Sequence, residues 1–221
     1  MNKDVSVVLL GAGKSKRFDS NTLKQNVKIH NKRVIDYSVD FFRKHFNTSK
    51  KYFVINNKIQ LETLTKNEHV LYGSSSRLKS LNNCLNYISR NNLQTKYLLV
   101  HDIARPILDI ADIKKIIREI YKKVDGSTLG YPLTNAVKEV KNYTIFYNIN
   151  KSNLWSTFTP QIFKMDKLCY SVNKCLAEKH DVDDDIEALL LNSLKCSMIM
   201  SSPTNIKITY KSDINYIKKL L

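Results

Sequence analysis

The stretch VVLLGAGKSKRF, residues 7–18, joins a buried-looking apolar run to a glycine-rich turn and a group of cations. Val5–Leu10 predicts a strand, because short runs rich in valine and leucine fit the interior of a sheet. Gly11 and Gly13 allow a tight turn or a close approach of the backbone to another group. Three cations follow this turn within four residues: Lys14, Lys16 and Arg17. The group that approaches the turn is therefore expected to carry negative charge.

Similar apolar runs alternate with amphipathic stretches along the chain, which is the pattern of a sheet with helices on both faces. The predicted strands are Val5–Leu10, Tyr52–Ile55, His69–Leu71, Tyr97–Val100, Ser127–Gly130 and Ser197–Met200. Helical stripes lie between them, and Asp109 is the predicted N-cap of one helix. The expected fold is α/β, with a doubly wound, mostly parallel, Rossmann-like sheet, and residues 1–221 are expected to form a single domain.

A β-hairpin is predicted at about residues 133–150, where apolar residues recur at roughly every second position. Lys141 and Asn142 are the predicted turn between its two halves. A two-stranded arm of this kind cannot bury both of its faces alone. We therefore expect the arm to project from the domain and to meet a second subunit in a homodimer.

The bulk composition excludes some functional classes. Hydrophobic residues make up 43% and charged residues 25% of the 221 positions, which is typical of a globular protein. The apolar run before Gly11 is too short for a membrane span or a signal peptide, so a cytoplasmic protein without membrane contact is expected. The four cysteines and five histidines show no metal-ligand spacing.

The formal net charge of +16 admits an anionic partner, either a nucleic acid or a phosphorylated small molecule. The sequence holds no lysine- and arginine-rich block of five to eight residues, however, and it is generally rich in lysine, asparagine and isoleucine. Nucleic-acid binding is therefore not favoured, and most of the charge is attributed to compositional bias.

The glycine loop admits several interpretations. A dinucleotide fingerprint would need a third glycine where Lys16 stands, and a P-loop would need its first glycine at Val8, so both patterns fail. A nucleotidyltransferase loop remains possible, in which backbone N–H groups approach a triphosphate and cations neutralise it. A plain strand-to-loop turn with solvated lysines fits the loop equally well.

Six segments taken together resemble the 2-C-methyl-D-erythritol 4-phosphate cytidylyltransferase family in order and approximate spacing. They are Leu10–Phe18, Leu23–Gln25, Gly73–Ser80, His101–Pro106, Thr159–Gln161 and Asn205–Thr209. The resemblance covers nearly the whole chain. It implies a nucleotide-diphospho-sugar transferase type of fold, and the transfer of CMP from CTP to a polyol phosphate with release of pyrophosphate and use of Mg²⁺.

The resemblance also implies roles for individual residues. Those matching the cations that stabilise the reacting phosphates are Arg17, Lys24 and Lys207. Those matching the nucleotide-binding positions are Gly11, Ala12, Gly13, Lys14, Gly73, Ser74, Ser75, Ser80 and Asp102. Asp102 is also the implied metal ligand. The implied acceptor-binding residues are Arg105, Asn135, Ala136, Lys151 and Asp183.

Some of these residues have plain structural interpretations as well. Asn205–Thr209 is predicted as a strand, with Lys207 on the face opposite its two isoleucines. Asp102 and Arg105 could simply form a turn before a proline. The acidic run around Asp183 suggests a metal cluster, but Asp184 and Glu187 have the spacing of a helix N-terminus.

The chain departs from the family pattern at several positions. Leu23 replaces a proline, Ser15 replaces a glycine, and Ser74 and Ser75 replace a glycine and an acidic residue. At the acceptor site, Asn135 and Ala136 replace an Asp-Thr pair and Lys151 replaces an arginine, so the bidentate fork for a phosphate is missing. The resemblance implies methylerythritol phosphate as the acceptor. Because of these departures, ribitol 5-phosphate or another polyol phosphate is the alternative. An inactive or nucleic-acid-binding relative is a further alternative.

Overall fold

The computed structural model describes residues 4–15, 17–19 and 21–221. The strands are β1 (Val5–Gly11), β2 (Lys28–Ile29), β3 (Lys32–Arg33), β4 (Lys51–Ile55), β5 (Glu68–Tyr72), β6 (Tyr97–Asp102), β7 (Gly126–Pro132), β8 (Val137–Lys141), β9 (Thr144–Ile149), β10 (Trp155–Lys164) and β11 (Cys196–Met200). The helices are α1 (Val34–His45), α2 (Arg77–Arg90), α3 (Ile110–Ile120), α4 (Met165–Ala177), α5 (Asp185–Leu190) and α6 (Asp213–Leu220), with a short 3-10 turn at Lys24–Asn26.

Seven strands form the main sheet in the order β11-β7-β10-β6-β1-β4-β5. β1 pairs in parallel with β4 and β6, β4 with β5, and β11 with β7. β10 is antiparallel to both of its neighbours, β6 and β7. The sheet is therefore mixed but mostly parallel, and the predicted α/β class is confirmed.

Side chains of β1 alternate between two apolar layers, as the period of a strand requires. Val7 and Leu9 belong to a core that includes residues of α1 and α3. Val8 and Leu10 belong to a second core, which includes residues of α2, α4 and α5. Helices thus cover both faces of the sheet. Such two-sided burial explains why β1 is a continuous apolar run instead of an alternating one.

A third, smaller apolar cluster packs the C-terminal part of the chain against its N-terminal part. Ile208 and Ile217, the latter on α6, pack with Phe18, Ile29 and Val34 from the first part of the chain. These contacts bring Lys207 beside the glycine-rich turn, although nearly 200 residues separate them in the sequence.

The six strands predicted from the alternating apolar runs all exist, but the prediction missed β10, the longest strand of the sheet. Its inner residues Thr159 and Gln161 are polar and buried, so the segment does not have the apolar pattern of an interior strand. Its pairing with β7 also shifts register between Phe158 and Gln161.

Two local predictions were wrong. Asn205–Thr209 is not a strand: it runs alongside the end of β6 and is joined there by a backbone hydrogen bond from Ile208 to Ala104 at 2.9 Å. The arm exists as β8 and β9, but Lys141 belongs to β8 and the turn consists of Asn142 and Tyr143. Both turn residues have positive φ, 48° and 63°, as the tight turns that favour hairpins require.

Within the described residues, no helix is long and apolar enough to cross a membrane.

Candidate active site

A cleft of about 300 Å³ lies at the carboxyl ends of β1 and β6, the edge at which open α/β sheets bind ligands. Its described lining includes a single carboxylate, that of Asp102. The cations that line it are Lys14, Arg17, Lys24, Arg77 and Lys207. With five positive groups against one negative group, the cleft is suited to an anion of high charge.

The glycine-rich turn forms one wall of this cleft. Gly73 lies behind the turn, where an added Cβ would come within 2.0 Å of the Ala12 side chain, so no larger residue fits. At Gly13 an added Cβ would meet no atom within 4 Å. The protein itself therefore does not require glycine at position 13, and the open space lies where a ligand would approach the backbone.

The serine-rich segment after β5 forms the opposite wall. The Ser80 hydroxyl accepts a hydrogen bond from the Ser74 N–H group at 2.9 Å and donates one to the Ser76 carbonyl at 2.7 Å. Ser76 in turn caps α2 by accepting a hydrogen bond from the Lys79 N–H group at 3.1 Å. The predicted binding residue Ser80 thus fixes the shape of this wall, and Ser74 and Ser75 line the cleft.

Lys24 reaches the cleft from the short 3-10 turn. Its ammonium group donates a hydrogen bond to the Ile208 carbonyl at 2.5 Å. Burial, followed by the positive charge of Lys207, lowers the pKa of Lys24 from 10.5 to about 8. An anionic ligand would offset this repulsion between neighbouring cations and would stabilise the charged form of Lys24.

Asp102 lies at the end of β6 between two cations. One of its carboxylate oxygens accepts a hydrogen bond from Arg77 Nε at 3.1 Å, and the other accepts one from Lys207 Nζ at 2.6 Å. Burial alone would raise the pKa of Asp102, but the charges of Arg77 and Lys207 outweigh it and hold the pKa below its ordinary value. The carboxylate is therefore ionised and orients Lys207.

Arg77 is a site residue for which the sequence suggested no role. Its guanidinium group makes a bidentate ion pair with the buried carboxylate of Asp185, at 2.6 and 2.8 Å, in addition to its bond with Asp102. It therefore connects the start of α2, the end of β6 and the start of α5. Its partner Asp185 is 108 residues away, so no local pattern could have indicated the pair.

A chain of hydrogen bonds behind Asp102 fixes the backbone there. The Asp102 N–H group donates to the Thr159 hydroxyl at 3.0 Å, and that hydroxyl lies 3.3 Å from His101 Nδ1. His101 Nε2 lies 3.1 Å from the Arg105 carbonyl. Because burial lowers the pKa of His101 to about 3, its ring is neutral. Nε2 then carries the proton and donates to the carbonyl, and Nδ1 accepts from Thr159.

The Asn205–Thr209 segment closes the site from the C-terminal side. The backbone carbonyl of Asn205 accepts a hydrogen bond from the Arg105 guanidinium group at 2.7 Å. The side-chain amide of Asn205 donates one to the Thr159 carbonyl at 3.0 Å. The turn expected at Asp102 and Arg105 exists, with the Arg105 N–H group bonded to the Asp102 carbonyl at 3.0 Å. The Asp102 carboxylate, however, is held by Arg77 and Lys207.

A second cavity of about 420 Å³ adjoins the first and shares Arg77, Asp102 and Lys207 with it. It also contains two of the predicted acceptor residues, Arg105 and Asp183. Its remaining polar lining is supplied by Thr128, Thr157, Thr159, Gln161, Asp184 and Glu187. Three cations and four carboxylates of the described residues thus line the same space.

The structure brings most of the predicted residues together. The 300 Å³ cleft is lined by Gly11, Ala12, Gly13, Lys14, Arg17, Lys24, Ser74, Ser75, Ser80, Asp102 and Lys207. Asn135, Ala136 and Lys151 line neither cavity of this chain; they lie next to the arm, where Lys151 donates a hydrogen bond to the Thr134 carbonyl. Lys16, one of the expected cations, lies outside the described residues.

The acidic run at residues 181–185 gives no metal cluster. Asp184 caps α5 by accepting a hydrogen bond from the Glu187 N–H group at 2.9 Å, and Glu187 accepts one from the Asp183 N–H group at 2.7 Å. The arrangement resembles a capping box, except that Glu187 accepts from the residue before the N-cap and not from the N-cap itself. In the part of the chain that the structure describes, no group of three or more acidic, histidine or cysteine side chains could hold a metal ion.

The sheet topology and the cationic cleft at its carboxyl edge are those of a nucleotidyltransferase. Within that class the chain belongs to the 2-C-methyl-D-erythritol 4-phosphate cytidylyltransferase family, whose model matches residues 5–221. The predicted family and enzyme class are thereby confirmed.

Individual relatives agree with this assignment. The 2-C-methyl-D-erythritol 4-phosphate cytidylyltransferase of Wigglesworthia glossinidia brevipalpis is 29% identical over 219 residues, covering 96% of this chain and 93% of the relative. That of Petrotoga mobilis is 27% identical over 222 residues, covering 97% and 96%. The crystal structure of the Francisella tularensis enzyme superimposes with a TM-score of 0.87 at 24% identity, covering 99% of this chain and all of that one.

Proposed function

We propose that this protein transfers the cytidylyl group of CTP to 2-C-methyl-D-erythritol 4-phosphate and releases pyrophosphate. One observation carries the proposal: cations from distant parts of the chain converge on a cleft in which the described residues supply a single carboxylate. Membership of the family supplies the identity of both substrates. Phosphoryl transfer needs positioning and charge neutralisation more than a protein nucleophile, so such a cleft is suited to it.

In this proposal the triphosphate lies along the glycine-rich turn, and Arg17, Lys24 and Lys207 take up the negative charge of the reacting phosphates. The small hydroxyl side chains of the serine-rich wall are suited to the ribose and cytosine edges. The acceptor occupies the second cavity, with its phosphate toward Lys207 and Arg105. The two cavities share Lys207 and Asp102, so an acceptor phosphate there would lie beside the α-phosphate of CTP.

We also propose that Mg²⁺ accompanies the triphosphate. The described residues offer only Asp102 as a carboxylate in the cleft, and both of its oxygens already contact cations. A Mg²⁺ ion here would therefore be held by phosphate oxygens and water, and Asp102 would join its ligands only by giving up a contact with Arg77 or Lys207. When bound, the ion would neutralise part of the phosphate charge.

A homodimer is part of the proposal. The arm is an isolated two-stranded sheet, and large apolar side chains on it are exposed, with Tyr147 62% and Phe146 54% accessible. If the arm packs on a second subunit, the neighbouring residues Asn135, Ala136 and Lys151 would lie near the acceptor cavity of that subunit. The four unpaired cysteines are in keeping with the cytoplasm, the compartment that we propose.

The proposal is tested by incubating the protein with CTP, Mg²⁺ and one polyol phosphate at a time, and measuring pyrophosphate. We expect rapid release with 2-C-methyl-D-erythritol 4-phosphate and at most slow release with ribitol 5-phosphate. Faster release with ribitol 5-phosphate would reassign the acceptor. No release with any polyol phosphate would contradict the proposed reaction.

A further inference from the structure

Gln25 is buried, with 2% of its surface accessible, and its side chain contacts the glycine-rich turn from behind. Its amide NH₂ group donates hydrogen bonds to the carbonyls of Gly11, at 2.7 Å, and Gly13, at 3.2 Å. Its amide oxygen accepts one from the Ser15 hydroxyl at 3.3 Å. Each polar atom of this side chain therefore bonds to the turn.

Ser15 extends the same network to Lys24. The Ser15 hydroxyl accepts a hydrogen bond from the Lys24 N–H group at 3.1 Å. Ser15 also has a left-handed backbone, with φ at 56°, which is unfavourable for residues other than glycine. Its hydroxyl joins the turn to the segment that carries Lys24, and these bonds help to hold the unfavourable conformation.

The carbonyl directions determine where the neighbouring N–H groups point. In a planar trans peptide the C=O and N–H bonds are antiparallel. Since the Gly11 and Gly13 carbonyls face Gln25, the N–H groups of Ala12 and Lys14 face away from it. No described residue accepts a hydrogen bond from either N–H group, and both residues line the cleft. Two free N–H groups in one turn form a site for an anion.

We propose that Gln25 and Ser15 are positioning residues for the nucleotide: they fix the turn so that the Ala12 and Lys14 N–H groups meet the triphosphate. The inference rests on the proposed function for the identity of that triphosphate. Neither side chain has to touch the reacting atoms. Both act through the backbone of the turn.

The test uses Gln25→Leu, which is similar in size but cannot hold the two carbonyls, and Ser15→Gly, which permits the left-handed backbone but lacks the hydroxyl. We expect Gln25→Leu to raise the KM for CTP at least tenfold with kcat within about threefold of wild type, because uniform binding is lost. Ser15→Gly should raise this KM severalfold. The KM for the acceptor should stay unchanged in both.

A purely structural role would instead lower the fraction of active protein, which reduces kcat and leaves the KM for CTP unchanged. Gln94→Leu is the matched control, because Gln94 is exposed and precedes β6, at the end of that strand opposite to Asp102. This variant should match wild type. A KM for CTP within twofold of wild type in both Ser15→Gly and Gln25→Leu would overturn the inference.

Binding of inorganic tripolyphosphate, measured by calorimetry, separates this inference from the proposed reaction. If the wild-type protein binds tripolyphosphate and Gln25→Leu weakens the binding at least tenfold, the inference holds even if no acceptor is turned over. Equal affinity in wild type and both variants would overturn the inference while leaving an observed turnover of CTP intact.

Discussion

Lys24 is a cation that the protein alone leaves poorly compensated. It is half-buried, and its hydrogen-bond partner is a carbonyl. Burial and the charges of Lys207 and Arg17 lower its pKa, and the carboxylates of Asp102 and Asp213 offset this only in part. A triphosphate in the cleft would supply the missing negative charge. The residue therefore links the electrostatics of the free protein to the binding of its substrate.

The pH dependence of CTP use follows from this lysine. As pH rises through about 8, Lys24 in the free protein loses its proton and can no longer neutralise phosphate. We expect kcat/KM for CTP to fall above about pH 8. The corresponding fall in kcat should occur at higher pH, because bound triphosphate raises the pKa of Lys24.

Lys24→Arg should retain part of the activity and lack this alkaline limb, since arginine stays protonated. Lys24→Met should lose about 10²–10³ in rate, the effect of one missing electrostatic contact. The measurement is a pH series of initial rates for the three proteins. An alkaline limb that is identical in wild type and Lys24→Arg would assign the titration to another group.

Arg77 and Asp185 illustrate what the sequence could not provide. The glycines, lysines and serines of the cleft belong to short segments whose residue types suggest phosphate binding by themselves. The bidentate pair exists only once α2 and α5 are packed on the same face of the sheet. Removing Arg77 would cost about 3–5 kcal/mol, because the fully buried carboxylate of Asp185 would be left without compensation.

At the scale of elements, the strands that the sequence predicted are those whose burial leaves a clear apolar pattern. β10 was missed because it provides Thr159 and Gln161 to the site, and these polar residues interrupt the pattern. In the Asn205–Thr209 segment, isoleucine alternates with polar residues, a pattern typical of a strand. Packing of Ile208 in the small C-terminal cluster, and not a sheet, causes that alternation.

The arm formed by β8 and β9 was predicted because its period of two is intact. If it holds two subunits together, a charge at its exposed apolar face should separate them. We expect wild type to sediment as a dimer and Phe146→Asp to shift it toward the monomer at micromolar concentration. The cost is the desolvation of a carboxylate in an apolar contact.

Tyr170→Asp is the control for this experiment. Tyr170 is exposed to a similar extent, 56% against 54% for Phe146, but it lies on α4 and not on the arm. It should leave the sedimentation of the protein unchanged. Monomeric wild-type protein would refute the proposed contact. A dimer that survives Phe146→Asp would refute it as well.

At the scale of the whole molecule, the fold gathers six separated segments at one edge of the sheet. Hydrogen bonds from Lys24 to Ile208, from Lys207 to Asp102 and from Asn205 to Thr159 join four of them. Bonds from Gln25 to Gly11 and from Arg77 to Asp102 connect the other two. The order of the motifs was visible in the sequence, but their contacts depend on the packing of both helix layers and of the C-terminal cluster. The acceptor side was the least predictable part, since residues of the arm lie outside the cavities of the same chain.

The central claim is that the cleft binds a nucleotide through its triphosphate. It is tested most directly by calorimetric titration of the protein with CTP and with CMP in the presence of Mg²⁺, repeated with Arg17→Gln. We predict that CMP binds at least about tenfold more weakly than CTP, because each lost charge-assisted hydrogen bond is worth about 1.5–3 kcal/mol. Arg17→Gln should weaken the binding of CTP and leave the binding of CMP unchanged. Equal affinities for CTP and CMP, with no effect of Arg17→Gln on either, would contradict the account.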